Sequence, residues 1–353
     1  MNNTSASGGN SGLNRLRDLS DDYLPDGSWL KWLGTVLLVY LLITVFVGMY
    51  WSLAPSRFNV QDRAEAHAAD LGGNVVTGSV TTSALIGVMD TLLEKPGGFL
   101  HNDRFPPGLW LDNIPNWEYG VLIQSRDLAR AMREVHSRSQ SQSTEDPDLA
   151  LAEPRFNFQS DSWILPASES EYRTGIKYTR SYLARLSDVN AQDAQFYARA
   201  DNLRYWLSTV DIRLGSLSQR LSASVGQRRV NTDLAGDMSA TQSTNAPGEM
   251  LVRTPWTEID DVFFEARGTA WALIHFLKAA QIDFADVLKD KNAEVSMTQI
   301  IRELEGTQET VWSPMILNGT GFGMLANHSL VMASFISRAN AAIVDLRDLL
   351  SQG

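Results

Sequence analysis

The sequence contains no cysteine, and this absence excludes several kinds of chemistry at once. Disulfide frameworks, thiolate metal sites, CxxC redox motifs and cysteine nucleophiles all require a thiol. The chain is also poor in positive charge, with 30 Lys and Arg against 41 Asp and Glu and a net charge of −11. A nucleic-acid-binding surface would have to overcome phosphate repulsion, so we expect no nucleic-acid partner.

Recognisable catalytic motifs are also missing. No serine lies in the G-x-S-x-G turn that exposes a hydrolase nucleophile. The glycine-rich turn at 318–323 follows no predicted strand and precedes no Gly-Lys-Ser/Thr, which argues against a phosphate-binding loop. We therefore predict no catalytic, cofactor-binding or metal-binding residues, no cofactor and no enzymatic activity.

One long apolar run is present near the N-terminus. The 22 residues from Trp32 to Leu53 carry no charge, and as a helix they span roughly 33 Å, enough to cross a bilayer. Trp29 and Trp32 at one end, and Tyr50 and Trp51 at the other, match the aromatic belts of membrane interfaces. Residues 29–53 therefore predict a transmembrane anchor whose partner is the lipid bilayer.

Two features of its flanks decide how this anchor is interpreted. Ser52-Leu53-Ala54 has the small-x-small form of a signal-peptide cleavage site, but the apolar core is too long, and Pro55 follows the cut. We therefore predict a retained anchor and, without a second run of this length, a single crossing. Three basic residues precede the run and two follow it, which favours a cytoplasmic N-terminus and an outward-facing large domain.

The rest of the chain carries a helical repeat. Apolar residues recur at alternating steps of four and three, which is typical of amphipathic helices packed in a bundle. The most regular set is Phe196, Ala200, Leu203, Leu207, Val210, Leu214, Leu217 and Leu221. The other sets span residues 82–92, 121–135, 172–186, 263–287 and 325–350. The predicted fold class is all-α, with one N-terminal transmembrane helix followed by a heptad-rich helical bundle.

Composition divides this chain into three predicted regions. Residues 1–28 are rich in Ser, Gly, Asn and Asp and are expected to form a flexible tail too short to fold. The anchor at 29–53 follows, and residues 54–353 form one helical soluble domain. Two polar stretches near 137–153 and 222–249 are interpreted as exposed connectors within that domain.

The segment from Lys95 to Arg133 has the highest density of potentially functional residues. It starts with Lys-Pro-Gly-Gly, a typical helix stop, and the next helix is expected to take Asn113 or Asn116 as its N-cap. A metal or acid–base site and a rigid structural elbow both fit the segment, and Trp110–Trp117 fits either a contact surface or a buried plug. The polar residues concerned are His101, Asp103, Asp112, Asn113 and Glu118.

Three stretches resemble a known family. They are KPGGFLHNDRFPPGLWLDNIPNWEYGVLIQSRDLARAMR at 95–133, the segment from DSWILP at 161–166 to EYRTGI at 171–176, and FEARG at 264–268. Together they are similar to a proteobacterial family known as domain of unknown function 2333, from about residue 30 onward. The resemblance implies a Gram-negative inner-membrane protein with one N-terminal anchor, and it brings no established activity.

These observations lead to one main hypothesis and two alternatives. The main hypothesis is a single-pass inner-membrane protein whose helical periplasmic domain is an envelope scaffold or interaction module, binding protein partners or itself through helical faces. The first alternative is a ligand-sensing bundle that works with a separate signalling partner. The second is a cell-wall-acting enzyme, which would need two carboxylates facing one cleft, drawn from Asp103, Asp112 and Glu118.

Overall fold

The computed structural model describes residues 27–140, 143–188, 193–230, 249–313, 315–320 and 322–352. Within these residues the chain forms eleven α-helices and one two-stranded ribbon, which confirms the all-α prediction. It divides into two compact units, Met1–Tyr50 and Trp51–Gly353. Most of the predicted tail, residues 1–26, lies outside the described part of the chain.

The elements follow one another along the chain with short connections. The helices are α1 (Gly27–Trp51), α2 (Val60–Leu71), α3 (Ser79–Glu94), α4 (Asn113–Ala131), α5 (Pro147–Phe156), α6 (Ser168–Ser187), α7 (Ala200–Ser222), α8 (Ile259–Asp283), α9 (Ala285–Asp290), α10 (Glu294–Gly306) and α11 (His328–Ser351). The strands are β1 (Gln227–Val230) and β2 (Glu249–Val252).

Helix α1 makes up the described part of the first unit. Its stretch Lys31–Trp51 is long and apolar enough to cross a membrane. Most side chains along it are exposed, as for Trp32 and Phe46 at 72% and 69%, although Thr44 is buried. An α-helix satisfies its own backbone hydrogen bonds, so such a surface suits a hydrocarbon surrounding.

Helices α4 and α8 form the centre of the second unit. They approach so closely that a Cβ atom on Gly120 would lie 2.2 Å from the Glu265 carbonyl oxygen. A Cβ atom on Gly268 would lie 2.0 Å from the Trp117 carbonyl oxygen, so glycine is required on both sides of the contact. Trp117 and Trp271 pack together in the core beside it, with ring centroids 5.2 Å apart.

Helices α7 and α11 pack against each other through the faces that the repeat predicted. On α7, all the apolar positions of the repeat from Leu203 to Leu221 are buried. On α11 the buried positions include Met332, Ile336, Ala339, Ile343, Leu346 and Leu350. The helical periodicity therefore identified the core-facing side of both helices.

Two of the predicted repeats differ from the observed helices at their ends. The set at 263–287 predicted one helix, but α8 ends at Asp283 and a separate α9 begins at Ala285. The Asp283 carboxylate accepts hydrogen bonds from the backbone N–H groups of Gly78 and Thr81, at 2.8 and 2.6 Å, and so caps the start of α3. The set at 325–350 begins too early, since α11 starts at His328.

The two polar connectors also contain more structure than predicted. Within 137–153, helix α5 begins at Pro147, capped by the Asp146 carboxylate, and it buries Leu149 and Ala152. Residues 231–248 of the second connector lie outside the described chain. Its flanks pair as the antiparallel ribbon of β1 and β2, with Gln227 opposite Val252, a pairing that the sequence patterns had not predicted.

Candidate functional site

The segment 95–101 leaves α3 through a tight turn. Lys95 follows the end of the helix, and Gly97 and Gly98 have φ angles of +86° and +71°. These values lie in the left-handed region that only glycine adopts without strain. The turn carries the chain back across the start of α4, where Glu118 lies.

Lys95 and Glu118 form a fully buried ion pair. The Lys95 Nζ lies 2.5 Å from the Glu118 Oε1, and the two side chains are 1% and 0% exposed. The carboxylate also accepts hydrogen bonds from the backbone N–H groups of Leu100 and His101, at 2.9 and 2.8 Å. Lys95 donates a further bond to the Gly98 carbonyl oxygen at 2.6 Å. The pair therefore fastens the turn to α4.

The environment of Glu118 has two opposing effects on its ionisation. Burial removes the carboxylate from water and raises its pKa to about 7, while Lys95 and the two backbone N–H groups favour the charged form. A perturbed pKa is a common feature of catalytic carboxylates. However, a substrate cannot reach a side chain without exposed surface, so this geometry supports a structural role for Glu118.

The other predicted site residues also have local structural partners. Asp112 is the N-cap of α4 and accepts a hydrogen bond from the Asn113 N–H at 2.8 Å. The prediction of Asn113 or Asn116 as the cap was therefore wrong, because the helix starts one residue after Asp112. The His101 ring lies 3.2 Å from the Pro115 carbonyl oxygen. Burial raises the pKa of Asp103, and neighbouring Glu169 adds to that effect.

A metal site is not supported by this arrangement. Across the described ranges, no group of three or more His, Asp or Glu side chains is placed to hold a metal ion. The five polar residues of the segment lie along one turn and one helix start, but they do not converge on a shared point. The elbow interpretation accounts for each of the contacts above.

A set of exposed apolar side chains follows the turn and includes members of a second loop. It consists of side chains from the loop before α4 and the loop before α6, and we call it the aromatic patch. Their exposed fractions range from 46% for Trp163 to 89% for Leu165. The members of the aromatic patch are Phe105, Leu109, Trp110, Trp163, Ile164 and Leu165.

Hydrogen bonds hold the two loops of the aromatic patch together. Buried Asn102 donates to the Ser162 carbonyl oxygen and to the Glu169 carboxylate, both at 2.8 Å. The Phe105 and Trp163 rings meet edge to face, with centroids 5.6 Å apart. These contacts fix the positions of the two loops that carry the patch. The stretch Trp110–Trp117 is exposed at one end and buried at the other, because Trp110 is 54% exposed and Trp117 is buried.

Comparison with known proteins assigns the chain to a family. The family model of DUF2333, described as an uncharacterized protein conserved in bacteria, matches residues 25–353. The chain belongs to the DUF2333 family. No curated protein and no solved structure matches it at a stringent threshold. The DUF2333 description names no activity, so it assigns no role to any residue of the turn or the aromatic patch.

Sequence reasoning about this DUF2333 chain found half of the aromatic patch. The 95–133 segment was identified by its density of Pro, Trp and polar residues. The partner loop, with Trp163, was noted only for its resemblance to the family. No local signal joins the two loops, because Asn102 and Ser162 are 60 residues apart in the chain.

Proposed function

We propose that this DUF2333 protein is a single-pass inner-membrane protein whose helical unit lies in the periplasm and acts as an envelope scaffold or interaction module. The apolar helix Lys31–Trp51 supports membrane anchorage through residues 29–53. The three basic residues before Trp32, against two after the apolar run, support a cytoplasmic N-terminus. The partners expected are other envelope proteins or further copies of the chain.

The aromatic patch is the observation that carries this proposal. Contiguous apolar surface on a folded protein often marks an interaction site, because water solvates such surface poorly. Tryptophan and arginine dominate the energetics of many protein interfaces, and Arg104 lies beside Phe105 at the edge of the patch. Arg104 donates to the Asp161 carbonyl oxygen at 3.2 Å, which leaves further N–H groups for a partner.

Rigidity strengthens the case for protein binding. The loops of the aromatic patch are bonded to each other through Asn102, and the buried Lys95–Glu118 pair fixes the turn that precedes them. A surface that is ordered before binding loses less conformational entropy on association. The fold therefore presents these side chains in a defined arrangement.

Photo-crosslinking in living cells tests the interaction. A photoreactive phenylalanine analogue is placed at Trp110 or Leu165 in the patch and, as a matched control, at Val295 on α10. Val295 is 79% exposed, comparable with the patch residues, but belongs to another surface. We expect discrete protein adducts from the two patch positions and none from Val295. No adduct at the patch, or the same adducts at all three positions, would contradict the proposal.

Membrane sidedness requires a separate test. Protease is added to intact spheroplasts, and a C-terminal tag is followed, with lysed cells as the control. Loss of the tag in spheroplasts is expected for a periplasmic helical unit. Protection until lysis would reverse the topology and direct the search for partners to the cytosol.

A further inference from the structure

A pocket lies between α8, α10 and α11, away from the aromatic patch. Its volume is about 390 Å³, within the range of small-molecule sites. The loop that follows α10 closes one side of it. Apolar side chains form most of its walls: Phe263, Val311, Trp312, Val331, Met332 and Phe335.

Arg267 places a positive charge in this apolar pocket. Its Nη2 donates to the Gln308 carbonyl oxygen at 3.0 Å, and the Gln308 side chain donates back to the Arg267 carbonyl oxygen at 3.1 Å. These bonds hold the arginine at the pocket wall. The side chain is half-buried, and burial lowers the pKa of Arg267 because the guanidinium loses water.

No carboxylate forms a direct ion pair with this guanidinium within the described residues, although Glu309 also lines the pocket. Within the residues that the structure describes, Arg267 has no acidic side chain at 4.0 Å or less, and Glu309 acts on it only from farther away. Arg213 and Arg220 on α7 behave differently, since each binds a carboxylate directly. In a chain with 41 acidic residues, a half-buried arginine without an ion pair leaves most of its donors available.

A second polar group at the pocket is also oriented. His328 lines the pocket, and its Nδ1 accepts a hydrogen bond from the Leu317 N–H at 3.0 Å. The proton of the neutral ring is therefore on Nε2, which makes that atom a donor. The pocket thus combines apolar walls, a donor on His328, the Arg267 cation without a direct ion pair, and the Glu309 carboxylate.

We propose that this pocket binds an amphipathic monocarboxylate, with the carboxylate paired to Arg267 and the apolar body enclosed by the walls. A planar guanidinium matches a carboxylate with two parallel hydrogen bonds. The donors of Arg267 favour a carboxylate, against which Glu309 acts, and the apolar walls favour a ligand with a hydrocarbon or aromatic body. This binding does not depend on the scaffold role proposed above.

Calorimetry on the full chain tests the proposal. The protein is placed in nanodiscs of zwitterionic phosphatidylcholine, so that no anionic lipid competes, and empty nanodiscs provide the background. The probe is phenylbutyrate, and phenylbutyramide is the neutral control of the same shape. We expect phenylbutyrate to bind and the amide to bind about ten- to a hundred-fold more weakly, the size of a charge-assisted hydrogen bond.

Three variants locate the site. Arg267→Gln should weaken phenylbutyrate binding about ten- to a hundred-fold, while binding of the amide stays the same. Val331→Glu puts a negative charge on the pocket wall at a position that is 57% exposed, where folding tolerates it, and should also weaken binding. Glu309→Gln removes the neighbouring acid and should strengthen binding by about two- to five-fold.

Several results would overturn the proposal. They are the absence of binding heat with phenylbutyrate, equal affinity for the acid and the amide, or unchanged affinity in both Arg267→Gln and Val331→Glu. Helix content and Tm of each variant are measured alongside. If Arg267→Gln does not fold, the comparison of acid and amide, together with Val331→Glu, still decides the question.

Discussion

Two helices of this chain are long and apolar enough to cross a membrane, α1 and α11, yet their surfaces differ completely. Beyond Lys31, α1 has no charged residue, and most of its side chains are exposed, whereas Thr44 is buried. Helix α11 buries one apolar face and carries charge on the other, where Arg338 binds Glu303 at 2.8 Å. The two apolar stretches are similar in length, at 21 and 24 residues, but their mean hydropathy is 2.3 in α1 and 1.3 in α11. The arrangement of charged residues around the two helices differs as well.

This difference shows which property separates an anchor from a core helix. A soluble helix needs one apolar stripe and a polar remainder, whereas a membrane helix needs an apolar surface all round. The stripe of α11 is covered by α7 and α10, and its charges remain in water or in ion pairs. The comparison can be tested by making matched substitutions in α1 and α11 and measuring which helix tolerates each one.

Charge inside α1 should have the largest effect. Replacing Val39 and Ile43 together by Arg places two cations near the middle of the helix, at a cost of about 5–7 kcal/mol for insertion. We expect the protein to leave the membrane fraction, measured by fractionation and blotting. Val344→Arg, on the exposed side of α11, is the control and should leave the distribution unchanged. Retention of the double variant in the membrane would disprove the anchor.

A buried charge without a partner should be nearly as costly. Glu118→Gln leaves the Lys95 ammonium buried and unpaired, and we expect a loss of about 3–5 kcal/mol in the free energy of unfolding. Denaturant unfolding of the full chain in nanodiscs measures it. The double variant Lys95→Met, Glu118→Leu removes both charges and should recover most of the loss. If Glu118→Gln is as stable as the wild type, the ion pair does not fasten the turn to α4.

Truncation of the buried stripe distinguishes the two helices directly. Ile343 of α11 is fully buried, so Ile343→Ala should cost about 2–5 kcal/mol through lost contacts and a cavity. Leu38→Ala in α1 makes a comparable truncation at a side chain that is 58% exposed. Thermal unfolding of the second unit should respond to the first change and not to the second.

Acid should weaken the link between the chain after α1 and the core. His275 accepts a hydrogen bond from the Phe58 N–H at Nε2, so its Nδ1 carries the proton and donates to the Trp271 carbonyl oxygen. Burial lowers the pKa of His275 to about 4, with further lowering by Lys278 and Arg57. The neutral ring is therefore part of the fold.

The sign of this pH dependence follows from linkage. The unfolded ring titrates near 6.5 and the folded ring near 4, so its contribution to stability is complete above 6.5 and is lost as the pH falls toward 4. The full loss is about 3 kcal/mol. His275→Gln should flatten the decrease in unfolding free energy over that range. An unchanged slope would show that other groups cause it.

The smallest effect is expected for a surface ion pair of α11. Arg338→Met removes the bond to Glu303, which involves a half-exposed arginine, and should cost less than about 1 kcal/mol. The same change makes α11 more apolar, yet the helix should remain packed in the second unit. Thermal unfolding and the protease pattern of the variant, compared with wild type, measure both outcomes.

The sequence predicted the parts of this fold that depend on local periodicity. The apolar run from Trp32 and the repeat from Leu203 to Leu221 were enough to identify an apolar helix and a core-facing stripe. The break at Asp283 was not predictable from local periodicity, and the contact made there, the capping of α3 by the Asp283 carboxylate, joins residues some 200 positions apart in the chain. The same limit applies to the ribbon of β1 and β2, whose pairing partners flank residues 231–248.

The site was predictable in position but not in its contacts. The density of polar residues around His101 and Glu118 indicated the segment correctly. The partnership of Glu118 with Lys95 depends on a turn that returns the chain to α4, and periodicity does not report such a return. The pocket around Arg267 was missed because the sequence does not show which arginines lack an acidic side chain nearby in the folded chain.

The paired glycines of α4 and α8 have a mechanical consequence. Residues three and four positions from each glycine share its face of the helix, and Ile123 and Gln124 on α4 and Trp271 and Ala272 on α8 all carry a Cβ. The close approach at the two glycines therefore fits one register, because a Cβ at either glycine position would lie about 2 Å from the backbone of the other helix. The contact therefore resists sliding of one helix along the other. We expect a force applied to one of these helices to move both helices together.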